Sequence, residues 1–169
     1  MKICYIVDAC SVHSVRWIQP VIRRGHEVHV LSYVPCAEAM PGVIDHVDLT
    51  TITNTPKIRF AEWGWWVNRY VHRLQPHILH AHQLPGAGWL GVMASYHPFV
   101  VSAYGSDLMV EPHRSRFRRL LVRLVLRQAD QLVVPSPAMA EIARRLNFPS
   151  QRLHIVPLGV ETAVFSPSR

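Results

Sequence analysis

Short apolar stretches alternate with longer amphipathic stretches along the chain. The apolar stretches are rich in Val, Ile and Leu, as expected of strands that are buried on both faces of a sheet. The weaker stretch 43–49 predicts a strand near the sheet edge. The predicted strands span residues 2–7, 27–33, 43–49, 77–82, 98–103, 130–135 and a short stretch near 153–156.

The stretches between these strands place apolar residues three and four positions apart, which predicts amphipathic helices. In the first of them Gly25 marks the helix end, and Pro20 predicts a kink or a break within it. Pro76 limits the second, because the residue before a proline disfavours helical backbone. The predicted helices span residues 14–24, 58–74, 86–96, 114–128 and 137–146.

Strands that alternate with helices form right-handed crossovers and a parallel sheet covered on both faces. We therefore predict an α/β fold class: a three-layer α/β/α domain with a mainly parallel sheet of about six or seven strands. It would occupy residues 1–156, and the tail 157–169 would begin a linker. Ligands bind such sheets at the carboxyl ends of the strands. The candidate ligand-binding segments at these strand ends are 8–14, 81–88, 103–108 and 136–137.

The composition suits a globular protein, with 49% hydrophobic and 17% charged residues in a chain of 169. No apolar run approaches the ~20 residues that span a bilayer. The apolar stretch 2–7 is shorter than a signal-peptide core, so we expect a cytoplasmic protein. Cys4, Cys10 and Cys36 form no motif, and with no secretory signal we expect reduced thiols.

The net charge of +7 comes mainly from arginine and is concentrated in the stretch 113–128, which contains no acid. Phe117, Leu120, Leu121 and Leu124 would form its apolar face. Two interpretations stand: a packed helix with a solvated basic face, or a basic amphipathic helix on an anionic membrane surface. No nucleic-acid-binding motif is present, so no nucleic acid is expected as a partner. The arginines assigned to the basic face are Arg116, Arg119, Arg123 and Arg127.

The first loop, between the first strand and the first helix, carries Ser11, His13 and Ser14. Backbone amides at a helix N-terminus favour anions, and these side chains can bind hydroxyls. We expect Ser14 to cap the helix and His13 to face a ligand.

His80 and His82 lie two residues apart on a strand and so point to the same face. No third metal ligand is evident nearby, so we predict no metal site. His82, at the strand end, is the candidate for substrate binding, and His80 is expected to be a core histidine with a hydrogen-bond partner.

Gly86, Gly88 and Gly91 match the spacing of a dinucleotide fingerprint. They do not follow the first strand, and no acid stands at a clean ribose-binding position. A tight turn that opens a closely packed helix is the favoured interpretation.

Two further loops supply polar groups at strand ends. In the first, Tyr104, Ser106 and Asp107 surround the turn residue Gly105 and offer hydroxyl-binding groups. Asp107 can equally bond its own backbone within the turn, and the two roles are compatible. Ser136 follows the strand 130–135.

Taken together, the segments Arg24–Val30, Ile78–His82, Val100–Asp107, Ala129–Ser136 and Val156–Glu161 resemble glycosyltransferase family 4, whose members have two Rossmann-like domains in the GT-B arrangement. The resemblance implies that this chain is the N-terminal, acceptor-side domain, and that a C-terminal domain would bind the donor.

The resemblance further implies retaining transfer of a hexosyl group from a nucleotide-sugar donor to an acceptor hydroxyl, without a cofactor or a required metal. The acceptor would be a sugar or a lipid-linked glycan, bound by Ser11, His13, His82, Ser136 and the turn 104–107. The isolated domain is expected to be inactive, and no catalytic base is assigned. Two alternatives remain: a single-domain nucleotide-binding α/β protein, and a non-catalytic module that binds anions or nucleic acid.

Overall fold

In the computed structural model, which describes residues 1–36, 38–52 and 58–159, the chain forms a seven-stranded sheet. Every neighbouring pair of strands is parallel, and the strand order is β3-β2-β1-β4-β5-β6-β7. The strands are β1 (Lys2–Val7), β2 (Glu27–Ser32), β3 (Asp45–Asp48), β4 (Ile78–His82), β5 (Phe99–Ser102), β6 (Gln131–Val134) and β7 (Leu153–Ile155).

Helices connect consecutive strands on most crossovers. The α/β fold class and the parallel sheet are therefore confirmed, and β3 lies at the sheet edge as predicted. The helices are α1 (Val12–Arg23), α2 (Arg59–Leu74), α3 (Trp89–Ala94), α4 (Ser106–Met109), α5 (Glu111–Arg114), α6 (Arg116–Gln128) and α7 (Pro137–Arg145).

Helices α1 and α3 differ from prediction in their bounds, and the predicted helix 114–128 is divided at the extended residue Ser115. Helix α1 begins at Val12, two residues earlier than predicted, and continues through Pro20 without a break. Helix α3 is shorter than the predicted 86–96, because Pro85 and Gly86 have non-helical backbone angles in an irregular turn over Leu84–Gly88. The predicted linker lies mostly outside the described residues, which end at position 159.

The larger hydrophobic core lies on one face of the sheet. Alternate residues of the central strands, such as Leu79, Ala81 and Val101, point to this face and pack against α2, α3, α6 and α7. The smaller core lies on the other face, where Ile18 of α1 packs against Val28 and other residues of β1 and β2. The two cores hold the sheet between layers of helix and fix the strand ends that carry the polar loops.

The glycines of the fingerprint-like segment serve close packing. A side chain at Gly88 would meet Val125 at 2.9 Å and the Gln83 carbonyl oxygen at 3.1 Å, and one at Gly91 would overlap the ring of Phe99. The interpretation as a turn opening a closely packed helix is confirmed.

Helix α6 packs through a different face from the one predicted. Val122, Val125 and Leu126 are its buried residues, whereas Phe117 and Leu120 are 66% and 54% exposed. Val125 packs directly against Gly88, where an added side chain would meet it at 2.9 Å. The expected apolar face of α6 is thus in large part turned to solvent.

Among the described residues, no helix is long and apolar enough to cross a bilayer.

Candidate functional site

Three of the predicted site residues meet at the carboxyl edge of the sheet. The ring of His13, in the first turn of α1, lies 5.4 Å from the ring of Tyr104, centre to centre. The Tyr104 hydroxyl lies 2.7 Å from Nδ1 of His82, at the end of β4. The loops after β1, β4 and β5 therefore form one cluster, because these parallel strands are neighbours in the sheet.

Burial keeps the two strand histidines uncharged at neutral pH. Removal from water lowers the pKa of His80 to about 3. Burial is the main cause that holds the pKa of His82 well below its usual value, and the electrostatic interaction with His80 is the second cause. His80 bonds Oγ of Ser102 at 2.9 Å, which confirms it as a core histidine with a hydrogen-bond partner.

His82 and Tyr104 form a neutral hydrogen-bonding pair. Burial is the main cause that raises the pKa of the Tyr104 phenol, so the hydroxyl keeps its proton. Within the part of the chain that the structure describes, Nε2 of His82 is buried without a hydrogen-bond partner. The pair thus has capacity left for a further hydrogen bond.

Asp107 holds the backbone of the two turns that carry the cluster. Its carboxylate is 2% exposed and accepts from the backbone amides of Gly105 at 2.9 Å, Tyr104 at 3.1 Å and Leu84 at 3.4 Å. These bonds tie the turn after β5 to the turn after β4. The geometry supports the turn-forming role for Asp107, through which it positions Tyr104.

The helix start lies nearer to Ser11 than to Ser14, contrary to expectation. Ser11, not Ser14, precedes the first residue of α1, and its hydroxyl makes no capping bond. Ser14 is buried within the helix, so its predicted role as the cap is wrong. The half-buried Ser11 remains a candidate for ligand binding beside His13.

A disulfide joins the first loop to the loop after β2. Cys10 and Cys36 are bonded across 26 positions of sequence, while Cys4 is a free, buried thiol. The expectation of three reduced thiols is therefore wrong for this pair. The sequence spacing carried no signal for it, because the pairing depends on β1 and β2 ending side by side.

The remaining predicted residues lie at the same edge in other roles. Gly105 has a φ of 147° and donates to Asp107, and Ser106 begins α4 with an exposed side chain. Ser136 caps α7 by accepting from the amide of Met139 at 3.3 Å. Within the described residues, no side-chain hydrogen bond joins Ser136 to His13, Tyr104 or His82.

Sequence analysis missed two aromatic residues of this edge. Trp17 lies 6.3 Å from the ring of His82 and 6.4 Å from that of His80. It follows His13 by one helical turn, a spacing that could have identified it. Tyr33, directly after β2, donates to Oε1 of Gln83 at 2.9 Å.

An open cavity of about 410 Å³ adjoins the cluster between α1 and residues 156–159. Arg16 and Arg24 line it together with His13 and Trp17, and Nη1 of Arg16 lies 3.5 Å from the Gly159 carbonyl oxygen. The edge as a whole therefore combines uncharged hydrogen-bonding groups and aromatic faces with the guanidinium group of Arg16, whereas Arg24 lies at the far end of α1. Neutral donors and acceptors suit a hydroxyl-rich ligand, and guanidinium groups suit phosphate.

Solved structures share this fold at low sequence identity. Anabaena HepE in complex with UDP matches with a TM-score of 0.70, 18% identity and 99% coverage of this chain. Sucrose-phosphate synthase from Thermosynechococcus elongatus matches with a TM-score of 0.69, 15% identity and 99% coverage. UDP-GlcNAc 2-epimerase from Methanocaldococcus jannaschii matches with a TM-score of 0.64, 11% identity and 92% coverage.

The chain spans about half the length of these structures: 47%, 51% and 45%, respectively. Among curated proteins, no sequence matches it. The family model described as a glycosyl transferase 4-like domain matches residues 9–159, which confirms the expected resemblance. The chain belongs to the glycosyl transferase 4-like domain family.

Proposed function

We propose that this chain is the acceptor-binding half of a retaining glycosyltransferase, which moves a hexosyl group from a nucleotide sugar to an acceptor hydroxyl. Membership of the glycosyl transferase 4-like family supports a transferase in general. Retention of configuration and the absence of a required metal rest on the resemblance to family 4. The acceptor is a sugar or a lipid-linked glycan, and the site of action is cytoplasmic.

The observation that carries the proposal is the Tyr104–His82 pair beneath the ring of His13. Both groups are uncharged, and the phenol oxygen retains a site for a second hydrogen bond. A sugar hydroxyl can donate to or accept from such a group without leaving a buried charge unpaired. Asp107 fixes the turn that carries Tyr104, so the hydroxyl is held in place before the ligand binds.

A second lobe would bind most of the donor. Structures of related fold include complexes with UDP and with UDP-glucose, and the chain spans 47% of both. In this proposal residues 1–156 form the acceptor side and residues 157–169 begin the connection to the donor lobe. The guanidinium group of Arg16 would then border the cleft between the lobes, where it would face phosphate.

The packing of the glycines disfavours the alternative of a single-domain nucleotide-binding protein. A bound diphosphate needs open backbone at the second glycine of the fingerprint, whereas Gly88, which holds that position, is covered by Val125. The segment also follows β4 and not β1.

Ligand titration of the chain tests the proposal. We expect glycosides of the acceptor class to quench the fluorescence of Trp17 and its neighbours, with Tyr104→Phe weakening their binding about three- to tenfold through loss of one hydrogen bond. Tyr96→Phe is the matched control, because its hydroxyl donates to the Pro76 carbonyl at the opposite edge of the sheet. NAD and UDP-sugars are titrated in parallel.

Two outcomes would contradict the proposal. In one, NAD binds tightly to the chain and Gly86→Ala abolishes that binding, which would favour the dinucleotide alternative. In the other, Tyr104→Phe and Tyr96→Phe affect every glycoside equally.

We further propose that the outward face of α6 holds the enzyme at an anionic membrane surface. Phe117 and Leu120 are exposed on it, close to Arg116, Arg123 and Arg127 on adjacent turns. Apolar side chains beside basic ones, with no acid on the helix, are typical of helices that lie in the membrane interface. Arg119, also predicted for the membrane, instead donates from Nε to the Pro112 carbonyl at 3.0 Å.

A further inference from the structure

A second cavity lies at the amino-terminal edge of the sheet, opposite the Tyr104–His82 pair. Its volume is about 550 Å³, and it is bounded by the end of α6 and by the loop that leads from α7 into β7. Arg123 and Arg127 line it from α6, and Asn147, Phe148 and Arg152 line it from the loop. Neither the family match nor the proposed acceptor site assigns a role to this cavity.

Three guanidinium groups border the cavity, and among the described residues no carboxylate lines it. The guanidinium of Arg152 lies 5.5 Å from the centre of the Phe148 ring, which limits its freedom. Arg123 and Arg127 form no ion pair with any residue that the structure describes. Converging cations without internal partners favour a bound anion.

Among the described residues, Arg123, Arg127 and Arg152 donate no side-chain hydrogen bond to a carbonyl at either helix end. At the end of α7 the amides of Leu146, Asn147 and Phe148 already donate to carbonyls of the last turns. At the end of α6 the amide of Ala129 donates to the carbonyl of Val125.

One acid, Asp130, lies near Arg152. Burial acts to raise the pKa of Asp130, but its hydrogen bonds to Phe99 and His97 and the nearby charges of His97 and Arg152 lower it overall. Its carboxylate is already engaged by the amide of Phe99 at 2.7 Å and by the His97 ring at 2.6 Å. Asp130 is not part of the cavity lining, so the guanidinium groups remain available to a ligand.

We propose that this cavity is a phosphate-binding site, in which Arg123, Arg127 and Arg152 bind one phosphoryl group and the side-chain amide of Asn147 adds a donor. Guanidinium groups match phosphate oxygens in pairs and stay charged at every physiological pH. The phosphoryl group belongs either to a soluble phosphate ester or to a phospholipid headgroup. The site is independent of the acceptor-binding proposal, since it lies at the other edge of the sheet.

Calorimetry in chloride buffer tests the site by measuring how inorganic phosphate and glycerol 3-phosphate bind to the full chain. In parallel, flotation measures binding to phosphatidylcholine vesicles with and without phosphatidylglycerol. The test variants are Arg152→Gln and the double variant Arg127→Gln/Arg152→Gln. The controls, Arg69→Gln and Arg73→Gln, remove the same charge from exposed positions of α2, outside the cavity.

We expect the double variant to weaken phosphate binding at least about tenfold, while each control stays within about twofold of the wild type. Loss of binding to both soluble ligands identifies a soluble phosphate ester as the ligand class. Loss that is confined to phosphatidylglycerol vesicles, and that Arg152→Gln alone already shows, identifies a lipid headgroup, because Arg152 lies outside α6. Equal behaviour of cavity variants and controls in both assays overturns the proposal. Circular dichroism checks that Arg152→Gln folds. If Arg152→Gln does not fold, the single variant Arg127→Gln, at a more exposed position, takes its place.

Discussion

Two buried or half-buried carboxylates, Asp107 and Asp130, each accept hydrogen bonds from backbone amides and yet differ in their pKa shifts. Burial raises the pKa of Asp107, although the amides of Gly105, Tyr104 and Leu84 oppose the shift. For Asp130 burial also opposes ionisation, but the Phe99 amide and the His97 ring outweigh it and lower the pKa. The balance between desolvation and hydrogen bonding therefore decides the sign at each site.

These opposite signs predict opposite pH profiles. The contribution of Asp107 to stability is present below its unfolded pKa of about 3.9 and is lost as the pH rises through its raised folded pKa. The contribution of Asp130 is present above that unfolded value and is lost as the pH falls through its lowered folded pKa. We expect Asp107→Asn to destabilise the fold by about 2 kcal/mol near neutral pH, because an amide offers one acceptor oxygen to several backbone donors.

Urea unfolding across the acid range measures both effects. The difference in unfolding free energy between wild type and Asp107→Asn should shrink as the pH rises, and the difference for Asp130→Asn should grow. Parallel profiles for the two variants would show that hydrogen bonds dominate at Asp107 as they do at Asp130.

The positions of the site residues were predictable where the strand topology alone decides them. His82 and Tyr104 follow neighbouring parallel strands, so their convergence follows from topology. The preference between capping and ligand binding was not predictable, because Ser11 and Ser14 both suit a helix start. A shift of the first turn by two residues placed Ser14 inside the helix.

At the scale of elements, the disulfide is the feature that sequence analysis could not supply. It spans the gap between the loops that follow β1 and β2, and so limits how far the first loop can move. Closing a loop of this length stabilises a fold by about 3 kcal/mol in the chain-entropy model. The first loop carries Ser11 and His13, so this restraint acts directly on the proposed acceptor site.

Thiol titration tests the pairing. Chain purified without reductant should show one reactive thiol after denaturation, from Cys4, and three after denaturation with reductant. Reductant should lower the melting temperature of the wild type, while Cys10→Ser/Cys36→Ser should melt at the same temperature with and without it. Three reactive thiols in the denatured, unreduced chain would contradict the disulfide.

Helix α6 shows why an apolar pattern alone does not identify the packing face. It carries one apolar set at Phe117, Leu120 and Leu124 and another at Val122 and Val125, so a helical projection offers two candidate faces. The choice depends on shape: because Gly88 has no side chain, Val125 can pack directly against it. The packing face of α6 is therefore decided by a residue of another element and cannot be inferred from the sequence of α6 alone.

At the scale of the whole molecule, the order of strands and helices was predictable because most strands are short and apolar and alternate with amphipathic helices, a pattern typical of a parallel sheet. The resulting sheet has two functional edges in our proposals. Its carboxyl edge collects the loops with His13, His82 and Tyr104, and its amino edge receives the ends of α6 and α7 with Arg127 and Arg152. Helix α6 runs between these edges with its apolar and basic face outward.

That orientation predicts a membrane contact formed by the whole side of the molecule that α6 covers. We expect Phe117→Ser/Leu120→Ser to weaken binding to phosphatidylglycerol vesicles about tenfold or more, because both side chains would lose burial among the acyl chains. The control Ile44→Ser/Trp65→Ser removes apolar groups of comparable exposure, 66% and 62%, from β2–β3 and α2, and should bind as the wild type does. Added salt should weaken wild-type binding, since arginines supply part of the attraction. If the control variant loses as much binding as the α6 variant, the contact is not directed by α6 and this membrane orientation is wrong.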